Sequence, residues 1–412
     1  MTPEPSDRLR VLLVIDSLAP GGAERSTVAM LPGLIEHGVE PELATLKRVS
    51  PSLSTDLLEE AHDTGVPIHE LTPHLRVGSV AGLRRLIARR RPALVHTTLF
   101  EADVSGRTAA FLQRVPSVST LATERYGSAH LAAPHLRRSK VRAAQAVDAA
   151  TARTTRRLHA VSTPVADAMA RHLSYPRDRI DVVHRGRPAD LTEPPAGFRR
   201  DEVRAGLGVD GDQPLLLILA RHEHAKGIDQ AIDALPLIRA RRPTATLVIA
   251  GRDGLHTEEL RRRTAEARLG TAVRFVGHRD DVGAVLRSAD VLLLPSRREG
   301  LPGSLLEAIA AGVPVVAANL ESVRDVVGPD EALIVDAGDP TALAAAVGTI
   351  VTDPFGARRR ASRARRRFLE HFTLDRATEG MAAFYRRSVD WVDVAVDAAA
   401  GRGPATGGGP PG

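Results

Sequence analysis

At 412 residues, 43% of them hydrophobic, the chain exceeds what one ordinary core needs and suggests two domains of roughly 200 residues each. With no cysteine it excludes disulfides, thiolate metal sites and cysteine nucleophiles and fits a reducing compartment, and aromatic content of 3% leaves few stacking surfaces for single-stranded nucleic acid, which is not an expected partner. Net charge is only +6, yet the isoelectric point is about 10.3 because nearly all the base is arginine, clustered at Arg89–Arg91, at Arg137–Arg142 and in the seven arginines between Arg358 and Arg367. The segment Met1 to Arg10 carries Glu4, Asp7 and two prolines and leads into an apolar run of only Val11 to Ile15, which is not a signal-peptide pattern. The longest uncharged apolar stretch, Ala308 to Leu320, is broken by Gly312 and Pro314 and falls short of the roughly 20 residues of a spanning helix. A soluble, cytoplasmic protein is expected.

Short apolar strands alternate with helical segments from end to end, the pattern of parallel sheets with crossover helices. In the first half, strands are expected at Val11–Ile15, Glu42–Leu46, Ala93–His96, Ser117–Leu121, Leu158–Val161 and Ile180–Val183. A Pro- and Gly-rich stretch without strand pattern over 191–214 reads as an interdomain linker. A second series follows at Leu215–Leu219, Ala245–Ile249, Val273–Val276, Val291–Leu294, Val313–Val316 and Leu333–Val335. Domains are therefore expected over 1–190 and 215–370, with a terminal helix over 371–397 and a disordered Gly/Pro tail over 398–412. The run Gly206 to Gly211 matches G-x-G-x-x-G, but a helical pattern precedes it and a strand follows. That is the reverse of a dinucleotide fingerprint and reads as a helix C-cap.

Chemistry concentrates at strand ends. After Val291–Leu294 comes Arg298-Glu299-Gly300-Leu301-Pro302-Gly303-Ser304-Leu305-Leu306-Glu307, at the carboxyl edge where open α/β sheets bind ligands. Pro302 suits the first helical position, Gly300 and Gly303 permit close approach of a ligand, and free amides of the first turn form a phosphate site. Glu299 and Glu307, each able to accept from two hydroxyls at once, suit a polyhydroxylated ligand; ordinary dipole-stabilising helix carboxylates are the alternative. Arg221 and Lys226 follow Leu215–Leu219 and would stand at the same edge as Glu299. Fixed cations there would favour an anionic ligand; surface cations on a polar turn are the alternative. Gly21 and Gly22 end the first strand's loop. The cluster His222-Glu223-His224 lacks the spacing of H-E-x-x-H and reads as loop, so no metal site is expected.

The segment Asp290 to Val316, with its E-x7-E pair at Glu299 and Glu307, resembles the donor site of the family 4 retaining glycosyltransferases, two-domain GT-B enzymes that use nucleotide-diphospho sugars. The resemblance extends from Gly21-Gly22-Ala23-Glu24-Arg25 through Ala220-Arg221 and Lys226-Gly227 to the final helices. It implies an α/β GT-B fold, two doubly wound Rossmann-like domains facing across a cleft, with a last helix crossing back to the first domain. It further implies transfer of a sugar, with retention, from a UDP- or GDP-linked donor to a hydroxyl of a lipid-linked, glycan or small-molecule acceptor, without metal or cofactor. Glu299 would hold the donor sugar, Glu307 the ribose, and Arg221 and Lys226 the diphosphate. Gly21, Gly22, Gly300, Leu301, Pro302, Gly303 and Ser304 would line the donor site, and Gly277 with His278 would read the base through backbone groups. On the acceptor side this chain departs from the family: Thr98 and Glu101 stand where histidines are usual, leaving His96 or Glu101 as base or acceptor ligand, with a structural strand-end histidine the equal alternative for His96. Arg185-Gly186 likewise replaces the more usual Asn-Gly. A basic amphipathic helix at Leu136–Val147 would present Arg137, Arg138, Lys140 and Arg142 to anionic headgroups, or simply to solvent. Two other readings keep the fold: a nucleotide-sugar epimerase, and a partner subunit that binds sugar nucleotide without transfer.

Overall fold

The computed structural model describes residues 8–19, 21–48, 56–71, 76–127 and 137–399, with the backbone alone at 56, 76 and 391–399. The first sheet contains β1 (Leu9–Ile15), β2 (Val39–Thr45), β3 (Ile68–Glu70), β4 (Leu94–Thr98), β5 (Ser117–Leu121), β6 (Arg157–Ala160) and β7 (Ile180–Val182). The second contains β8 (Leu215–Leu219), β9 (Thr246–Ala250), β10 (Val273–Gly277), β11 (Val291–Leu294), β12 (Val315–Ala318) and β13 (Leu333–Val335). Strand orders are 3-2-1-4-5-6-7 and 10-9-8-11-12-13, and β1 pairs parallel with β2 and β4 as β8 does with β9 and β11. Winding reverses between β1 and β4 and again between β8 and β11. Each reversal leaves a crevice at the strands' carboxyl ends.

The central strands, such as β4, β5, β9, β11 and β12, are buried on both faces, which is why they read as apolar runs rather than alternating ones. One edge strand, β3, escaped notice because Ile68-His69-Glu70 is short and only partly buried. Within the stretch expected to be linker, Arg200–Gly206 is a helix. Arg204 is 1% exposed; its Nη1 donates to the Ser288 carbonyl at 2.8 Å and its Nε to that of Gly211 at 3.1 Å, while Leu207 and Val209 join the second domain's core. Gly208, with φ of +72°, closes this helix, so the glycine run forms a helix end.

The chain passes between domains twice, and the two passages lie side by side. The Arg187 N–H donates to the Phe372 carbonyl at 3.0 Å, and the Leu374 N–H donates to the Arg187 carbonyl at 2.7 Å. A Cβ on Gly186 would stand 2.3 Å from the Thr373 oxygen. Glycine is there for this approach rather than for a turn. The final helix, Leu374–Ala399, returns to the first domain, where Met381, Ala382, Phe384 and Tyr385 pack with Val28 and Leu31 of the helix Gly22–Glu36. The basic helix runs Arg138–Ala152, with Val141 buried and Arg137, Arg138, Lys140 and Arg142 exposed; Leu136 and the tail 400–412 lie outside the described residues. Among the described residues no helix is long and apolar enough to cross a membrane.

Candidate active site

The β8 and β11 exits are pressed together at Gly227. Its φ is +62°, and a Cβ there would stand 1.9 Å from the Pro295 carbonyl oxygen, so only glycine fits. This contact brings Lys226 to Glu299. Lys226 Nζ donates to Glu299 Oε1 at 2.7 Å and Oε2 at 3.0 Å, and the Ser296 hydroxyl donates to Oε1 at 2.7 Å. The adjoining helix runs Gly303–Ala311. Pro302 therefore sits at the cap, one position before the first helical residue expected for it, with ψ of 117°. Amides of Gly303 and Ser304 open the helix at the cleft wall, and Glu307 follows one turn later. Its Oε1 accepts from Arg187 Nε at 2.7 Å.

Both domains contribute to one open cleft. Of the residues expected there, Gly21, Gly22, Arg221, Lys226, His278, Glu299, Leu301, Gly303, Ser304 and Glu307 line it. So do Arg25, Arg185, Arg187, Arg252 and Arg279, which sequence reasoning did not assign. The lining thus carries seven cations against the two carboxylates, and its field favours an anion. Burial pulls the Arg185 guanidinium down to about 10, with Arg187 adding to the shift while Glu299, Glu24 and Glu307 oppose it. Among the described residues, a 3.3 Å bond from Nη1 to the Gly22 carbonyl is the one hydrogen bond that holds this side chain, and its buried Nε has no partner. Arg185 and Arg187 left one trace in the sequence, the replacement of Asn-Gly by Arg-Gly.

Several expected residues have other duties. A Cβ on Gly300 would stand 2.0 Å from the Ala122 oxygen, and the Gly300 carbonyl accepts from the Ser162 hydroxyl at 2.7 Å, so this glycine serves the domain interface rather than a ligand. Gly303 makes room for Arg187, whose Nη2 lies 2.1 Å from where a Cβ would be. Gly277, with φ of +71°, turns the chain so that the neighbouring His278 reaches the cleft. Burial raises the Glu24 carboxyl, while its own N–H and that of Ala23 hold it down with Arg221 and Arg185. That carboxylate folds back over the helix start after Gly21.

Of the two readings of His96, base or acceptor ligand against structural histidine, its surroundings fit the structural one, since it is buried and both ring nitrogens are bonded. The Val183 carbonyl can only accept, so His159 donates to it through Nε2 at 2.8 Å and accepts the Thr120 hydroxyl at Nδ1, 2.9 Å away. Thr120 then accepts from His96 Nε2 at 2.7 Å, and His96 Nδ1 accepts the Tyr385 hydroxyl at 2.6 Å. Each hydrogen has one direction. Burial, with the neighbouring His159, pulls His96 down to about 3, and burial pulls His159 down to about 4. Glu101 lies in the first turn of the helix Phe100–Leu112 and is likewise absent from the cleft lining. His222 is buried against Thr257 and Asp253. Among the described residues no three carboxylates or histidines converge as a metal site.

Two family models match, glycosyltransferase family 4 over residues 20–191 and glycosyl transferases group 1 over residues 199–368. The chain belongs to glycosyltransferase family 4. A D-inositol 3-phosphate glycosyltransferase of Xylanimonas cellulosilytica is 30% identical over 326 residues, covering 75% of this chain and 76% of that one. A glycogen synthase of Mycobacterium tuberculosis is 37% identical over 173 residues, 41% of this chain and 42% of that one, so the match spans less than half of that relative. Among solved structures, Anabaena HepE in complex with UDP and glucose superimposes with a TM-score of 0.80 at 20% identity, over 92% of this chain and all of that one. WaaG, a glycosyltransferase of lipopolysaccharide biosynthesis, does so with a TM-score of 0.70 at 18% identity, over 91% and 99%. This likeness shows the family's GT-B fold.

Proposed function

We propose that this family 4 member transfers a sugar, with retention, from a nucleotide-diphospho sugar to a hydroxyl acceptor, without a metal. The observation that carries the reading is the cleft at the β8/β11 crevice, where Arg221, Lys226 and the open amides of Gly303–Ser304 face the same space as Glu299 and Glu307. Amides and cations hold the diphosphate and stabilise it further as it departs. Glu299, fixed by Lys226 and Ser296, accepts hydroxyls of the donor sugar; Glu307, fixed through Oε1, turns Oε2 to the ribose. His278 lies beside the base. With His96 locked in its buried chain, the departing phosphate oxygen is the group that receives the acceptor's proton. A UDP-linked donor has the support of the UDP bound in HepE. A lipid-linked acceptor, reached by peripheral contact with the membrane, has the support of exposed Arg137, Arg138, Lys140 and Arg142.

Melting temperature against UDP-, GDP- and ADP-glucose at matched concentration tests the reading. Saturation at a hundredfold over the dissociation constant adds about 2.7 kcal/mol. One nucleotide should raise melting, and its sugar should be consumed with an acceptor. No shift with any of them removes the transferase reading, and binding without consumption in any acceptor panel favours the partner-subunit alternative. Vesicles of phosphatidylglycerol should sediment the protein at low salt and release it at high salt; absence of binding at both removes the membrane contact.

A further inference from the structure

Glu299 is held by its own domain, but both of its neighbours are held by the other one. On one side, Arg298 Nη1 donates across the interface to the Thr123 hydroxyl at 2.9 Å and the Glu124 carbonyl at 3.2 Å. On the other, the Gly300 carbonyl accepts from the fully buried Ser162, and its Cα is packed against the Ala122 carbonyl. Separating the domains breaks all of these contacts. What remains on the carboxylate is a flexible lysine and one serine, in a loop still tied to its own domain upstream of Arg298, where Arg297 Nη1 donates to Asp229 at 2.8 Å and the Arg297 N–H to the Ala225 carbonyl at 2.8 Å, but with neither neighbour of Glu299 held.

The element that grips Arg298 is itself firmly built. Thr123 and Glu124 lie in the exit loop of β5, and the next two residues anchor that loop. Arg125 Nη2 donates to Asp103 Oδ2 at 2.8 Å, and the Tyr126 hydroxyl donates to Asp148 Oδ2 at 2.7 Å. Asp103 and Asp148 are fully buried and share Arg107. Asp103 sits in the first turn of the helix after β4, so the β4 and β5 exits on the acceptor domain form one rigid unit. Arg298 is that unit's handle on the carboxylate loop. Burial lowers the Arg298 guanidinium, with Glu299 and Glu124 opposing; it spends its hydrogen bonds on an uncharged hydroxyl and a carbonyl, which suits a geometric role better than an ionic one.

We infer that Arg298 is a positioning residue of the donor site, which carries the placement of the β5 exit loop to Glu299, so that the carboxylate reaches working position only while the two domains are closed. The inference rests on the reading of Glu299 as the ligand of the donor sugar. Its consequence is that the acceptor domain sets how the sugar, but not the nucleotide, is held.

The test uses the full chain with UDP and UDP-glucose as probes, in Arg298→Met, Thr123→Val and Thr123→Ser, each first checked for unchanged melting. Calorimetry gives the two dissociation constants, and UDP release in water gives turnover. In Arg298→Met and Thr123→Val the advantage of UDP-glucose over UDP should disappear and turnover should fall about tenfold or more, while the constant for UDP moves less than about threefold. Thr123→Ser, which keeps the hydroxyl, should stay near wild type, and the double variant should be no worse than Arg298→Met alone. The inference is overturned if Thr123→Val behaves as wild type, or if UDP itself weakens in step with UDP-glucose. Wild type that binds neither probe removes the functional reading, and the inference with it. Wild type that binds both equally removes the role of Glu299, and the inference with it, but leaves the nucleotide site standing.

Discussion

Protonating either buried histidine would break a chain in which every hydrogen already has one direction. In the unfolded chain both histidines take protons near 6.5, whereas in the fold His96 does so only near 3 and His159 near 4. Their folded values are depressed, so the unfolded state binds more protons below about 6.5 and stability falls as pH falls, by about 1.4 kcal/mol per pH unit for each histidine until the folded value is reached. Denaturant midpoints should therefore drop steeply between pH 6.5 and 4.5. A His96→Asn/His159→Asn variant should show a shallower slope, and an unchanged slope would refute the assignment. Glu299→Gln removes the charge that faces Lys226 but keeps the shape; turnover should fall by about a hundredfold, while the constant for UDP changes little, as calorimetry beside a UDP-release assay would show. The two glutamates were legible because strand, loop and helix carry them within seventeen consecutive residues, 291–307. Arg187 was not, because its partner Glu307 lies 120 positions away and only the fold brings them together. His96 stayed open between two readings for a related reason: the partners that silence it, Thr120, His159 and Tyr385, come from two other strands and the last helix.

At the scale of elements, the doubly wound sheets were readable because each central strand is a short apolar run buried on both faces. What the residues left open was how segments from different domains touch. Pro and Gly over 191–214 marked a break in strand pattern, but the Arg204 that binds this stretch to the second domain reads in sequence as a surface cation. Gly186 belongs to the same class. Its backbone runs against Thr373 and Leu374 where the two passages between domains meet, a contact without any local signature. Gly186→Ala forces these strands apart, since the obstructing atoms are backbone and cannot swing away. A loss of about 1–3 kcal/mol is expected, measurable by urea denaturation. An equal substitution at Gly348, which has nothing within 4 Å of its Cβ position, should cost nothing comparable. Equal effects at the two sites would show that helix and backbone propensity, not the crossing, governs both.

Over the whole molecule, the domains are joined by more than two strands of chain. One continuous cluster of buried apolar side chains contains Leu121, Tyr126 and Val161 of the first domain together with Leu301, Leu305 and Val323 of the second. Hydrogen bonds cross beside it, His184 Nε2 to Asp325 at 3.0 Å and the Thr163 N–H to the same carboxylate at 3.1 Å. The last helix adds a covalent tie, because Phe384 and Tyr385 lie in the first domain's core although the segment before them leaves the second. Domains sharing so much buried surface should unfold together. Phe384→Ala tests this, since it empties a fully buried site in one domain only, at an expected cost of about 3–5 kcal/mol. If the two halves are one cooperative unit, calorimetry will show a single transition, lowered and not divided, and UDP bound as proposed will still raise it, although the residues proposed to hold it are mostly in the other half. Two separated transitions, with only the upper one moved by UDP, would mean that the interface is weak enough for each domain to unfold by itself.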